Sequence, residues 1–223
     1  MKTYLKDFSK MAKRGIAYLP IGTLEWHGNH LPIETDYLVA VKLCEMLAKK
    51  KPGYILPPMY LGTDKHKIVN NKKLVGMDRY LGKKLAGNLY YLDPALFEKM
   101  IVSLGKNLKS QGFKKIFLIA GHAGSGHLNT LAKAVKKQSG LVLVNPWENL
   151  NIDAKHADEY ETSILWACYP EEKIISRKMK IPASDDCFRF YGYDPRKKAS
   201  VGLGRKILKE MVENCLREIK KYL

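Results

Sequence analysis

The chain has 223 residues, enough for one sizeable hydrophobic core, and we predict a single domain spanning residues 1–223. Apolar residues make up 46% of the chain and charged residues 27%, and no apolar run is long enough to cross a membrane. Because the N-terminal segment also lacks the apolar core of a signal peptide, the sequence predicts a soluble, cytoplasmic protein.

The net charge is strongly positive. There are 39 Lys and Arg residues against 22 Asp and Glu residues, so the formal charge is +17, and such a surface attracts anions such as nucleic acid or phosphorylated metabolites. The excess is mostly lysine spread along the chain, which also occurs in heat-adapted proteins. A solvated basic surface is therefore the simplest interpretation.

The four cysteines form no recognisable metal or redox motif. They are Cys44, Cys168, Cys187 and Cys215. The absence of a Cys-x-x-Cys pair argues against a cysteine zinc site, and nothing requires disulfides. Cys44 and Cys215 occupy apolar positions of helical patterns, so we predict that both pack in the core.

The first predicted strand, Gly15–Ile21, leads into a cluster of potential metal ligands. Glu25 and His27 are two residues apart, so in an extended backbone both side chains leave on one face. Asp36 follows after a predicted turn. This donor mix suits zinc, manganese or iron(II) better than magnesium or calcium. Solvated loops and helix caps carry similar residues, so the Glu-x-His pattern alone does not distinguish a metal site from a surface loop.

A helix, a short strand and a long basic segment follow. Apolar spacing predicts a helix over Tyr37–Lys49 and a strand at Tyr54–Leu56. The segment Tyr60–Leu92 is repeatedly broken by glycine and asparagine, and we predict that it is largely irregular. Between Lys65 and Lys84 it contains seven Lys or Arg residues and one acidic residue. We expect this segment to cover the site or to form an oligomer contact.

The rest of the chain alternates helices with short apolar strands. The predicted elements are a helix opening at Asp93–Pro94, a strand at Lys115–Ala120, a helix carrying Leu128–Val135, a strand at Leu141–Val144, a helix at Ile164–Cys168 and an amphipathic helix at Ser200–Leu223. This alternation predicts a mostly parallel sheet with helices on both faces. In such folds, ligands bind beyond the carboxyl ends of the strands.

Two further stretches place potential ligands at that edge. His122 directly follows a predicted strand, so the fold rule brings it near the first cluster. The segment 156–163 adds His156 and three acidic residues, including Glu161, before a predicted helix. Acidic residues are favoured at any helix N-terminus, but beside the other clusters this segment is a candidate donor of one more ligand.

These segments together resemble the creatininase (creatinine amidohydrolase) family. The stretch Glu25–Asp36 matches a family motif, Glu-x-His-Gly-x-His-Leu-Pro-x-x-Thr-Asp. The turn Gly121–Gly124 is similar to the family's Gly-His-Gly-Gly-Asn stretch, and His156–Ser163 is similar to its His-Ala-Gly-Glu-x-Glu-Thr-Ser motif. Asp194–Ser200 looks like its late Gly-Asp-Pro segment. The matching motifs occur in the same order as in the family and span most of the chain.

The resemblance implies a three-layer α/β/α domain with a mostly parallel central sheet and two divalent metal ions (Zn, Mn or Fe(II)) per chain. By position, Glu25, Asp36 and His122 would hold one metal, and His27, Asp36 and Glu161 would hold the other. A hydroxide shared by both metals would attack the substrate. Family members are often oligomers, so the resemblance also implies a homo-oligomer such as a hexamer.

The activity implied is hydrolysis of a carbon–nitrogen bond in a small cyclic amide or formamide. The leaving nitrogen must be protonated, and His156 occupies the family position proposed for that proton transfer. The alternative is that His156 orients a metal ligand. The basic segment makes us include phosphorylated amides among the candidate substrates.

The chain departs from the family at Gly124, where creatininase itself has a glutamate, and this argues against creatinine as the substrate. His30 and His127 could supply the missing polar group, although a structural role is the simpler interpretation of each. Trp26 could either wall the pocket or pack in the core.

A second class of function also fits the sequence. A non-catalytic basic α/β protein could bind a nucleotide or RNA through its lysines or a nonhydrolytic metal site. No patterned aromatic residues accompany the basic ones, so nucleic acid is the less favoured partner. Metal content and the salt dependence of nucleic-acid affinity discriminate between the two classes.

Overall fold

The computed structural model describes residues 5–89, 91–171 and 192–223. The strands are β1 Ile16–Ile21, β2 Tyr54–Ile55, β3 His66–Val69, β4 Lys72–Val75, β5 Lys115–Ala120 and β6 Leu141–Val144. The helices are α1 Leu5–Ala12, α2 Thr35–Lys50, α3 Met77–Leu81, α4 Pro94–Ser110, α5 Ser125–Lys137, α6 Glu159–Cys168, α7 Pro195–Lys198 and α8 Val201–Lys220. None of the helices in these ranges is both long and apolar enough to span a membrane.

The central sheet of the described residues is parallel, with strand order β2-β1-β5-β6. The two middle strands, β1 and β5, pair along their whole lengths, from Ile16 opposite Lys115 to Ile21 opposite Ala120. Both are almost continuously buried, as expected for strands covered on both faces. They end at the same edge, so the residues that follow them are brought together.

Helices cover both faces of the sheet, and each face has its own apolar core. Tyr18 and Phe117 pack on one face with α2, α6 and α8. Leu19 and Leu118 point the other way and pack with α1, α4 and α5, because successive side chains of a strand alternate between faces. The arrangement has three layers, α/β/α, and the predicted fold is confirmed.

Capping side chains set two of the helix starts. Asp93 accepts hydrogen bonds from two backbone N–H groups of α4, as its position before a proline predicted. Asp158 accepts hydrogen bonds from the N–H groups of Tyr160 and Glu161, so α6 begins at Glu159 and not at the predicted Ile164. Because of this cap, Glu161 lies in the first turn of the helix.

The basic segment is more ordered than the predicted irregular run. It contains an antiparallel hairpin of β3 and β4, followed by α3. Asn70 and Asn71 form the two-residue hairpin turn, with φ angles of 48° and 58°. Asparagine tolerates these left-handed conformations, and a turn with two positive φ angles matches the twist of a hairpin. The two asparagines therefore join strands and do not mark a loop.

Three of the cysteines are buried free thiols. They are Cys44, Cys168 and Cys215, and the predicted core packing of Cys44 and Cys215 is confirmed. Burial raises the pKa of the Cys168 and Cys215 thiols to about 12, which makes them unreactive near neutral pH. Cys187 lies outside the described residues.

Candidate metal centre

The five predicted metal ligands meet at the carboxyl edge of the sheet. Glu25 and His27 follow β1, and Asp36 lies in the first turn of α2. His122 follows β5, and Glu161 lies in the first turn of α6. All five side chains are buried. The structure therefore brings together every residue of the predicted ligand set.

Two glycines let the N-terminus of α2 lie directly on the strand ends. A Cβ atom on Gly22 would lie 2.4 Å from the backbone nitrogen of Tyr37, and one on Gly121 would lie 1.9 Å from the carbonyl oxygen of Asp36. Both distances are far inside van der Waals contact. Any larger residue at either position would therefore displace Asp36 from the site.

The ligand side chains form two triads that share Asp36. In the first triad, His122 Nδ1 lies 3.2 Å from Glu25 Oε2 and 3.0 Å from Asp36 Oδ2. In the second triad, His27 Nε2 lies 3.3 Å from Asp36 Oδ1 and 3.6 Å from Glu161 Oε1. Within each triad, one candidate ligand atom per residue lies within 4.8 Å of the others. Asp36 thus presents one carboxylate oxygen to each triad.

Neighbouring hydrogen bonds orient these side chains. His27 Nδ1 lies 2.9 Å from the carbonyl oxygen of Glu25, which can only accept, so Nδ1 carries a proton and Nε2 faces the carboxylates. The Thr23 hydroxyl donates to Asp36 Oδ2 at 2.6 Å. The backbone N–H of Met77 donates to Glu25 Oε1 at 3.2 Å. The ligand atoms are therefore held in place by backbone groups and by the Thr23 hydroxyl.

The buried carboxylates and imidazoles shift one another's ionisation. Burial raises the pKa of the Glu25 carboxyl, but the positive charges of His122 and His156 outweigh burial and lower this pKa to about 2. Burial also raises the pKa of Asp36, yet His122 and His27 hold it well below its usual value. Conversely, burial lowers the pKa values of His27 and His122, but the carboxylates raise both well above normal. The buried carboxylates thus favour positively charged groups, including metal cations, within the triads.

The donor atoms fit divalent metal ions. Glu25 Oε2 and His27 Nε2 are buried and make no hydrogen bond within the described residues, although each lies at ion-pair distance from a triad neighbour. Buried polar atoms of this kind are rare in native proteins, and a bound ion would satisfy both of them. Three carboxylates and two imidazoles form a mixed oxygen and nitrogen set that zinc, manganese and iron(II) accept.

His156 lies beside the second triad. Its ring packs against His27 with the centroids 4.3 Å apart, and its Nε2 forms a hydrogen bond with the carbonyl oxygen of Trp26. Because a carbonyl oxygen only accepts, Nε2 carries a proton, and Nδ1 remains for further proton exchange. One nitrogen of His156 also lies close enough to Glu25 and His27 to share a metal with them.

A cavity of about 350 Å³ opens onto the triads. Its walls come from the end of the basic segment (Gly76–Tyr80), the loop after β5 and the loop before α6. Part of the basic segment thus lines the cavity, and its role as a cover of the site or as an oligomer contact stays a prediction. Trp147 lines the cavity, whereas the Trp26 ring stacks on His156 at a centroid distance of 6.2 Å.

Asp64 is a buried carboxylate in the cavity wall that sequence reasoning missed. Its Oδ1 accepts hydrogen bonds from the backbone N–H groups of Lys65 at 2.7 Å and Gly126 at 3.0 Å. Its Oδ2 lies 3.6 Å from His122 Nε2, an ion-pair distance too long for a hydrogen bond. A Cβ atom on Gly124 would lie 2.6 Å from Asp64 Oδ2. The close spacing of glycines after β5 was the one signal that something must fit there.

His30 and His127, the two histidines considered as sources of the missing polar group, are not among the described residues that line the cavity. His30 Nε2 lies 3.1 Å from the hydroxyl of Thr162, which ties the first motif to α6. His127 is fully buried beside Phe97, and burial, reinforced by His122, lowers its pKa to about 3. The polar group next to Gly124 is therefore the carboxylate of Asp64.

Most of the chain is similar to one protein family. A family model described as Creatininase: Creatinine amidohydrolase matches residues 3–219. The creatinine amidohydrolase of Pseudomonas putida is 21% identical over 212 residues, which cover 84% of this chain and 77% of that protein. Two solved structures, a mutant creatininase of Zn-Zn type and a creatininase Mn form, each have a TM-score of 0.72. They are 20% and 19% identical, and each comparison covers 99% of this chain and 96% of the other. At these identities the structures show a shared fold.

Proposed function

Because the chain belongs to the creatininase (creatinine amidohydrolase) family of hydrolases acting on non-peptide carbon–nitrogen bonds, we propose that it is a metal-dependent amidohydrolase of a small cyclic amide or formamide. The observation that carries this proposal is the pair of buried triads sharing Asp36. A cavity of about 350 Å³ beside them is the right size for a small molecule.

Two divalent ions would bind in the triads. Glu25, Asp36 and His122 would hold one ion, and His27, Asp36 and Glu161 would hold the other. Related structures of Zn-Zn type and in an Mn form support zinc and manganese, and the donor set also accepts iron(II). When bound, two such ions would supply Lewis acidity, which favours ionisation of water near neutral pH and polarises an amide carbonyl.

The chain's own residues would orient the ligands and move the proton. The Glu25 carbonyl keeps His27 Nδ1 protonated, which turns Nε2 toward the site. Hydrolysis adds the elements of water across the broken bond, so the leaving nitrogen must gain a proton. We assign that transfer to His156, whose Nε2 is engaged by the Trp26 carbonyl and whose Nδ1 is therefore the atom available to pass a proton to the leaving nitrogen.

The proposed substrate is an amide other than creatinine. Creatininase itself has a glutamate where this chain has Gly124, and the nearest carboxylate here, Asp64, comes from another segment. The non-catalytic alternative, a protein that binds a nucleotide or RNA, is not favoured. Family membership supports hydrolysis, and the six lysines between Lys65 and Lys84 are exposed, as expected of a solvated basic surface.

We also propose that residues 1–223 form one domain and that the protein assembles as a homo-oligomer, such as a hexamer, as the family resemblance implies. Light scattering of the metal-loaded protein measures the assembly. A monomer at micromolar concentration would contradict it.

The test of the function is metal analysis combined with a screen of cyclic amides and formamides. We expect about two divalent ions per wild-type chain, and we expect Asp36→Ala to lose both ions and all hydrolysis because Asp36 serves both triads. Asp7→Ala is the matched control, since Asp7 is an exposed residue of α1 that does not line the cavity. An Asp36→Ala protein that keeps two ions per chain would refute the assignment.

A further inference from the structure

The basic segment contributes one positively charged side chain to the cavity wall. All six lysines between Lys65 and Lys84 are exposed, and Arg79 is the basic residue of this segment that lines the cavity. Its backbone N–H donates to the carbonyl oxygen of Gly76 at 3.0 Å in the first turn of α3. Met77, at the start of the same turn, is hydrogen-bonded to a proposed metal ligand. The position of Arg79 is thus tied to the metal centre.

The Arg79 side chain has no acidic partner among the described residues. Its Nε is buried and makes no hydrogen bond there, and its guanidinium carbon lies 4.6 Å from the centroid of the Tyr80 ring. The adjacent carboxylate, Asp78, is already engaged by Lys84 Nζ at 2.9 Å and by Asn88 Nδ2 at 2.7 Å. A buried N–H without a partner costs free energy, and a ligand could recover that cost.

Among the residues that the structure describes, the charges of the cavity leave Arg79 without an acidic counterpart. The described residues contribute four carboxylates to the cavity wall, those of Glu25, Asp36, Asp64 and Glu161. Two divalent ions would neutralise their four negative charges. The other cation of the lining, Lys155, contacts the carboxylate of Asp153. With metals bound, the guanidinium of Arg79 is therefore a positive charge that no described carboxylate of the wall neutralises.

We propose that Arg79 binds an oxyanion of the substrate, either a carboxylate or a phosphate, so that the amide hydrolysed here is anionic. This inference rests on the proposed function. The planar guanidinium can donate two parallel hydrogen bonds to either group, and its stacking on Tyr80 holds the fork in one orientation. A neutral amide leaves the Arg79 donors unpaired, so the site discriminates against it.

The test uses ketone probes, which cannot be hydrolysed. 4-Oxopentanoate carries a carboxylate, 3-oxobutylphosphonate carries a phosphate-like group, and methyl 4-oxopentanoate is the neutral match. Calorimetry with the zinc-loaded protein measures the dissociation constant of each probe. We expect wild type to bind at least one charged probe roughly tenfold to a hundredfold more tightly than the neutral one. The tighter charged probe identifies the oxyanion.

Arg79→Met should abolish this preference, and Arg79→Lys should keep only part of it because lysine lacks the planar fork. Lys72→Met, which removes one exposed positive charge outside the cavity, should keep all of it. Equal binding of charged and neutral probes by wild type, or a preference that survives in Arg79→Met, would overturn the proposal. A wild-type protein that binds no metal, or that hydrolyses no amide, would instead refute the proposed function.

Discussion

His156 packs against the proposed metal ligand His27 and also lines the cavity. Removal of its imidazole therefore distinguishes a role in proton transfer from a role in orienting the ligand. If His156 protonates the leaving nitrogen, His156→Ala keeps both ions and loses roughly 10²- to 10⁴-fold in kcat. Metal analysis and steady-state rates measure this, with Trp26→Phe as a control that keeps an aromatic ring against His156. Loss of metal from His156→Ala would show instead that the residue orients His27.

At the scale of elements, the packing of α8 on α6 supports the turn that carries Glu161. A Cβ atom on Gly204 would lie 1.8 Å from the carbonyl oxygen of Ser163, whereas one on Gly202 would have no atom within 4 Å. We expect Gly204→Ala to lower the free energy of unfolding by about 1–3 kcal/mol, because the helices must separate.

Gly202→Ala is the matched control in the same helix. It should raise the free energy of unfolding by about 0.5–1 kcal/mol, because alanine loses less backbone entropy in a helix than glycine. Urea denaturation measures both variants. A Gly204→Ala protein as stable as wild type would contradict the close approach of α6 and α8.

At the scale of the whole molecule, metal binding should stabilise the fold, because the ligands come from β1, α2, β5 and α6 or the loops that follow them. A metal ion whose free concentration is a thousand times its dissociation constant adds about 4 kcal/mol to the free energy of unfolding. This corresponds to a rise in Tm of roughly 10 °C for a chain of this size. Removal of the ions with a chelator should therefore lower Tm in calorimetry. Asp36→Ala should show no such shift, and a wild-type Tm insensitive to chelation would argue against structural coupling of the ions.

Sequence periodicity by itself predicted the central strands, and the motifs that resemble the creatininase family predicted the ligand set. The apolar runs of β5 and β6 have the predicted bounds, and β1 begins one residue later than predicted, at Ile16. These strands are buried on both faces, so their pattern depends little on the neighbouring segments. Glu25, His27 and His122 directly follow parallel strands, and strand direction alone then brings them to one edge.

Only the tertiary structure decided the roles of Asp64 and Arg79. Both lie in the basic segment, whose strands β3 and β4 form a separate two-stranded sheet, so the periodicity of the central strands did not predict its position. Asp64 reaches His122 because Gly124 and Gly126 leave space for it. Arg79 is also the one arginine of this segment, but its place in the cavity wall depends on the position of α3. Burial and partners depend on contacts between distant segments, and local sequence does not encode them.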